Sequence, residues 1–330
     1  MDVRKRTYRI IIGKPVKLGK GVVNITNQVK EDADSAYVID NTTLGPHIEF
    51  KINKDNSKEP NKGSVTIYNL SDDTVNYLDQ NQSESLAILF EAGYNWENSL
   101  TFAGTVEFVQ DVWEGETRKT KLILGDGSLN IISSNTARSY RKGTPLDKIL
   151  LDLVADLKLP VGRIVKFGNK VSQYSMAFTG NAANNLERFA RNTGSTFSVQ
   201  DGAVYWTRQG SRFEEVLVEI SPETGMHDSP TLQNPEPNKR RKSKSKAKPS
   251  KKEDAGLVVK TALNGAIIPE TTIYLKSRKF TGFYKVVYVK HTGSLEEGEW
   301  VSEVGLSEAK NGVLKEKGKE IKIQSTPISR

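Results

Sequence analysis

Hydrophobic and polar positions alternate with a period of two over much of the chain. Ile48, Phe50 and Ile52 alternate with polar neighbours, as do Val65 and Ile67, the mark of strands with one buried face. Residues 7–12 and 22–26 read as opening strands around a Gly/Pro-rich turn, and further strands follow at 86–91, 100–112 and 118–124. Gly104 interrupts the middle one, and a glycine inside a strand marks a bulge or corner. Ser71, followed by Asp72, Asp73 and Thr74, predicts a cap for one short turn of helix carrying Val75 and Leu78. Together these elements predict a first β-barrel domain over residues 1–128.

The period changes after Gly143. Thr144 and Pro145 read as N-cap and first-turn residue, and Leu146, Ile149, Leu150, Leu153, Val154 and Leu157 then fall on one helical face. Pro160 and Gly162 stop that helix. A second helix over 182–192 carries Leu186, Phe189 and Ala190 on one side, with Gly194 as its C-cap. Residues 196–207 alternate about Asp201-Gly202, a dipeptide suited to a type I′ hairpin turn. These elements give an α/β insert domain over 139–210. Runs rich in Val, Ile, Tyr and Thr return at 257–263, 272–275, 282–291 and 300–306, which predicts a second β-barrel domain over 211–306. A Pro-rich stretch at 221–255, almost without large apolar residues, is expected to interrupt it as a disordered loop. Residues 307–330 read as a frayed polar tail. The fold class expected is mainly β with a small α/β insert, two β-barrels flanking a helix-containing domain.

Charge changes the picture in one place. The formal net charge is +8, yet residues 239–252 contain Lys239, Arg240, Arg241, Lys242, Lys244, Lys246, Lys248, Lys251 and Lys252 and no acid. Without that run the chain is nearly neutral, so no folded face need be basic, which weakens the case for a nucleic-acid-binding fold. The run is the candidate contact for a polyanion or an acidic partner; blocks of like charge otherwise stay solvated. It suits an outer surface better than a DNA conduit, because so many cations would hold a passing phosphate backbone. A hydrophobic fraction of 36% and a mean hydropathy of −0.52 fit an assembly subunit with much surface and modest cores. The absence of cysteine excludes disulfides and thiolate chemistry. The apolar run at 10–12 is too short for a signal peptide or a membrane span, so synthesis in a cytoplasm without export is expected.

No catalytic constellation stands out. Residues 13–21 hold part of a phosphate-loop pattern, but one residue too many separates the glycines and Gly21 stands where Ser or Thr is needed. His47, His227 and His291 lack partners at ligand spacing, and His291 reads as a corner hydrogen-bonding residue. The acid pairs Asp72/Asp73, Glu214/Glu215 and Glu296/Glu297 sit in polar turns, which suit solvent better than glycoside hydrolysis. Trp96, Trp113, Tyr205, Trp206 and Trp300 hold strand and corner positions suited to core or interface packing. No catalytic, cofactor-binding or metal-ligating residue is assigned, and neither enzyme activity nor a cofactor is expected.

The order of short motifs carries a resemblance. Ile67-Tyr68-Asn69-Leu70-Ser71, then Ala92-Gly93-Tyr94, then Phe102-Ala103-Gly104-Thr105-Val106, lead to a strand ending at Gly125-Asp126-Gly127. Gly256-Leu257-Val258, Gly282-Phe283-Tyr284-Lys285-Val286, His291-Thr292-Gly293 and Trp300 follow in the third region. This series, over residues 5–306, resembles the baseplate hub proteins of contractile-tailed bacteriophages, which are related to the hubs of tailocins and type VI secretion spikes. That family commonly has Asp where Ser294 stands, and Pro-Gly where this chain has Pro269-Glu270. The resemblance implies two tail-tube-like barrels per subunit, so that a homotrimer presents six barrels, matching a sixfold tube above and a threefold spike below. It implies as partners the tail tube protein, the central spike protein, baseplate wedge components and the tape measure protein. DNA would be only cargo in the channel, no membrane anchoring is implied, and the location would be the virion tail baseplate. The alternative of a different class is a nucleic-acid- or polyanion-binding protein acting through residues 239–252; a cell-wall hydrolase comes third, for want of a site.

Overall fold

Inward-pointing alternation organises the first region. A computed structural model describes residues 5–14, 36–57, 59–82, 86–208, 216–233, 255–308, 313–316 and 319–322. Its first elements are β1 (Arg6–Gly13), β2 (Ala36–Asp40), β3 (Ile48–Asp55), β4 (Lys62–Tyr68), α1 (Asp72–Gln80), β5 (Ala87–Tyr94), β6 (Glu97–Glu114) and β7 (Thr117–Gly125). The expected strand at 22–26 lies outside the described residues. Ile48, Phe50, Ile52, Val65 and Ile67 are buried in one core with Ile10, Phe90, Phe102 and Leu124. Ser71 caps α1, its hydroxyl accepting from the Thr74 amide, and Val75 and Leu78 are buried beneath the helix. β6 passes from β5 to β7 at Thr105, which pairs with both Ala87 and Gly125. The glycine before it is required by close approach: a Cβ on Gly104 would lie 2.4 Å from the Gly125 carbonyl oxygen.

The insert holds α2 (Ser128–Ser133), β8 (Asn135–Tyr140), α3 (Leu146–Leu157), β9 (Val161–Ile164), β10 (Met176–Asn181), α4 (Ala182–Thr193), β11 (Ser195–Gln200) and β12 (Ala203–Arg208). The six predicted face residues of α3 are all buried, and they share a core with Phe189, Phe197, Val204 and Trp206. The start of α3 differs from the expectation. Pro145 occupies the cap position without a side-chain hydrogen bond, and the Thr144 hydroxyl instead donates to the Arg141 carbonyl at 2.7 Å. At α4 the expected C-cap stands: Gly194 is left-handed at φ +61°, and its N–H faces the Ala190 and Arg191 carbonyls.

The third region holds β13 (Val216–Ile220), β14 (Thr231–Leu232), β15 (Leu257–Ala262), β16 (Thr272–Lys276), β17 (Thr281–Ser294), β18 (Trp300–Glu308), β19 (Val313–Glu316) and β20 (Lys319–Lys322). Its own core gathers Leu257, Ile273, Tyr284, Val286, Val304 and Leu306.

Three expectations are corrected here. Among the described residues the two β regions are not separate closed barrels. They share one 13-stranded sheet with the path β14-β15-β18-β17-β3-β4-β7-β6-β5-β1-β2, with β16 and β13 branching from β17. The cause is the length of β17: its first half pairs with β16, while residues from Tyr288 to Ser294 pair with β3 from Asp55 to Glu49. Second, the stretch expected as a loop at 221–255 is structured at both ends. Ser221 is buried, the His227 amide donates to Lys260 at 2.9 Å, and Thr231 and Leu232 pair with Val258 and Leu257. Residues 234–254, including the whole basic run, lie outside the described residues. Third, the tail expected to fray contains the β19–β20 hairpin, registered from Val313–Lys322 to Glu316–Lys319. Trp300 also belongs elsewhere than expected: it packs in the first core against Phe50, with ring centroids 5.0 Å apart, and donates to the Gly93 carbonyl at 3.0 Å.

Candidate functional site

The first region and the insert meet at a buried polar junction centred on the β11–β12 turn. Asp201 and Gly202 both have positive φ, +51° and +75°, as a type I′ turn requires. The turn sets the hairpin tip against β3, β6 and the segment after β7. Lys54, fully buried on β3, donates to both Asp201 carboxylate oxygens at 2.7 Å. Asp201 also accepts from the Ala103 amide of β6 at 3.0 Å. On the other side of the tip, the fully buried Asp126 accepts from the Gly202 amide and, at 3.1 Å, from the Asn61 side chain. Asn61 donates in addition to the Val199 carbonyl and the Gln200 side chain, and Gln200 donates back to the Asp55 carbonyl at 2.6 Å.

A second clip lies one strand away. Glu270 is 1% exposed, and its carboxylate accepts from Asn56 beside β3, from Thr207 on β12 and from Lys285 on β17. One side chain thus touches all three regions. Its backbone is left-handed at φ +70°, so this position asks for glycine sterically and is held by glutamate for its contacts.

Burial sets the electrostatics. It pushes the Asp126 carboxyl up to about 7, with the Asp201 charge adding to the effect. His291 is buried within β17 rather than at the expected corner, and its Nδ1 lies 2.9 Å from the Ser302 hydroxyl. Burial, and secondarily the Lys54 charge, hold it well below the usual histidine range, so the ring is neutral at physiological pH. These groups face one another across element boundaries, and the arrangement holds parts of the chain in register.

The residues singled out in the sequence are scattered. Lys239 to Lys252, Glu214, Glu215 and the phosphate-loop-like segment beyond Lys14 lie outside the described residues. His47, His227 and His291 sit on separate elements; His47 lies 3.8 Å from both Glu49 and Glu296. Asp72 is drawn to Arg118, which also holds Asp111. Trp206 and Trp300 are buried as expected, but Trp96 and Trp113 are 42% and 61% exposed, because both lie by the ends of β-hairpins; Trp113 stacks with Arg118 at 5.6 Å. Lys54, Asn61, Asp126 and Glu270 were not singled out as charged or polar contacts. The Asp201-Gly202 turn and the Pro269-Glu270 departure were the available signals.

The feature that bears comparison with other proteins is the sheet shared by two β regions around a helical insert. No protein-family profile and no curated protein sequence matches the chain. Among solved structures, the 43 kDa tail protein of prophage MuSo2 from Shewanella oneidensis aligns over 92% of this chain and 99% of its own, with TM-score 0.54 and 8% identity. A tail protein from Neisseria meningitidis MC58 aligns over 91% and 96%, with TM-score 0.57 and 10% identity. A chain of the Francisella PdpA–VgrG complex aligns over 92% of this chain but only 58% of its own, with TM-score 0.53 and 11% identity. At such identities the likeness is one of fold.

Proposed function

We propose that this chain is the structural hub subunit of a contractile-tail baseplate, a homotrimer that joins the sixfold tail tube to the threefold central spike without enzymatic chemistry. The observation that carries the reading is the unbroken β17–β3 pairing, in a fold that covers nearly the whole of two tail proteins. Shared backbone hydrogen bonds fix the two β regions relative to each other, as a subunit presenting two tube-like surfaces needs. The tail tube protein, the spike, wedge components and the tape measure protein are its partners in this reading. DNA passes as cargo, and the setting is a virion tail assembled in the host cytoplasm. Similarity to a chain of a VgrG-containing complex supports a partner of spike type. Mass photometry and negative-stain classes of the chain, alone and with its cognate spike, test this. A threefold particle with a central channel is expected, and monomers or dimers under all conditions would overturn it.

A second reading rests on the nine basic residues between 239 and 252, which contain no acid among them. If the run binds a polyanion, affinity for duplex DNA falls steeply with salt and vanishes when the run is removed. Weak, salt-insensitive retention of DNA would remove this reading.

A further inference from the structure

We propose that the buried junction is a pH-sensitive joint, gripping the insert's hairpin tip most firmly in acidic solution and loosening it as the solution rises to neutral. Geometry carries the argument. Two carboxylates, Asp126 and Asp201, flank the tip of one hairpin; Asp126 bonds to the tip amide and Asp201 is part of the tip. Lys54 bonds to Asp201 at 2.7 Å and reaches Asp126 through its charge alone. With a proton on Asp126, the pocket holds one balanced ion pair. Without it, two carboxylates share one ammonium in a largely buried site, and Asp126 is compensated by the Gly202 amide, the Asn61 side chain and the field of Lys54.

The surrounding groups do not supply the missing cation. His291 on β17 is neutral. Tyr205 on β12 has its hydroxyl pushed up by burial and by both acids, with Arg163 on β9 acting in the opposite sense, so it too carries no charge. On β6 the side chain nearest this segment is Glu107, which lies against Gly125 and supplies no cation. Lys285 on β17 is engaged by Glu270.

The sign follows from linkage. Asp126 is raised from 3.8 to about 7 in the folded chain, so the folded state binds the proton more tightly than the unfolded one. Its contribution to stability is fully present below about 4 and is lost as pH rises through about 7. Only the tip bonds directly to Asp126 from the insert's hairpin, so the loss falls first on tip docking.

Hydrogen-exchange mass spectrometry of the full chain between pH 5.5 and 8 reads this directly, with exchange corrected for its intrinsic pH dependence. Peptides over residues 195–208 should lose about tenfold or more in protection across that range, while peptides from α3 keep theirs. Asp126→Asn, which holds the neutral form, should abolish the pH-dependent part. A wild-type tip that is indifferent to pH, an unchanged fall in Asp126→Asn, or a fall shared equally by α3 would each overturn the proposal. Should Asp126→Asn not fold, Asp201→Asn substitutes: removing the neighbouring negative charge should move the loosening midpoint to lower pH. Lys54 then faces Asp126 alone and the grip's proton is released earlier, so the midpoint moves down; an unmoved midpoint rejects the joint.

Discussion

At Glu270 the backbone and the side chain ask for different residues. A left-handed φ of +70° costs a non-glycine residue about 1 kcal/mol, yet the carboxylate joins Asn56, Thr207 and Lys285 in a site closed to solvent. Glu270→Gly should relieve the strain but orphan three donors, for a net loss of about 2 kcal/mol in urea melts. Glu270→Ala keeps the strain as well, and should be lower still by about 1 kcal/mol. A glycine variant as stable as wild type would mean that the contacts contribute nothing. Lys54 is a sharper case, because its ammonium is fully buried. Lys54→Met leaves Asp201 without its cation and should cost about 3–5 kcal/mol, with much of that recovered by adding Asp201→Asn. His291 acts on pH in the opposite sense to Asp126. Its pKa is depressed in the folded chain, so the unfolded chain takes a proton that the folded one refuses, and stability falls as pH drops below about 6.5. His291→Gln should flatten that acid limb in thermal melts across pH 4–7; an unchanged limb would place its origin elsewhere.

Among elements, α3 is where periodicity and packing coincide. Leu150 and Leu153 are fully buried against a core that includes Phe197, Val204 and Trp206 of the β11–β12 hairpin. Leu150→Asp or Leu153→Asp buries a charge with no partner and should cost several kcal/mol, read as a lower melting temperature. A variant that melts like the parent would refute the packing. This helix was legible because its signal is local: six apolar residues at helical spacing, together with the stops that follow. The Asp201-Gly202 turn was legible for the same reason, since two residues specify it. What escaped was set by distant partners. The pairing of Thr231 and Leu232 depends on β15, more than twenty residues on, and polar composition there gives no hint of it. Lys54 reads as one more polar residue in an alternating strand until the tip of a hairpin far along the chain supplies its carboxylate.

For the whole molecule, the decisive link is β17 against β3, which turns two β regions into one sheet. Alternation shows which face of a strand is buried but not which strand lies beside it, so this join was invisible in the sequence. The same logic of pairing decides what removing the basic run should do. Leu232 pairs with Leu257 in an antiparallel bridge, and the Gln233 amide donates to the Gly256 carbonyl at 3.1 Å. The chain therefore leaves the sheet and returns to it at one place. Deleting residues 239–252 leaves 234–238 and 253–254 to connect two adjacent strands, a length common for such connections. The run contains no large apolar residue, so its loss takes nothing from a core. The deletion variant should melt within about 2 °C of the parent, the shift a change of about half a kcal/mol allows, and in the hub reading it should still form the threefold particle. What should change is one peripheral contact, whose salt sensitivity drops when several cations are lost together. Analytical ultracentrifugation at physiological salt, followed by a salt titration of partner binding, separates the outcomes. If the variant no longer assembles, the run is a structural tie between subunits; if tight, salt-sensitive DNA binding disappears with it, the polyanion reading accounts for this segment better than the hub reading does.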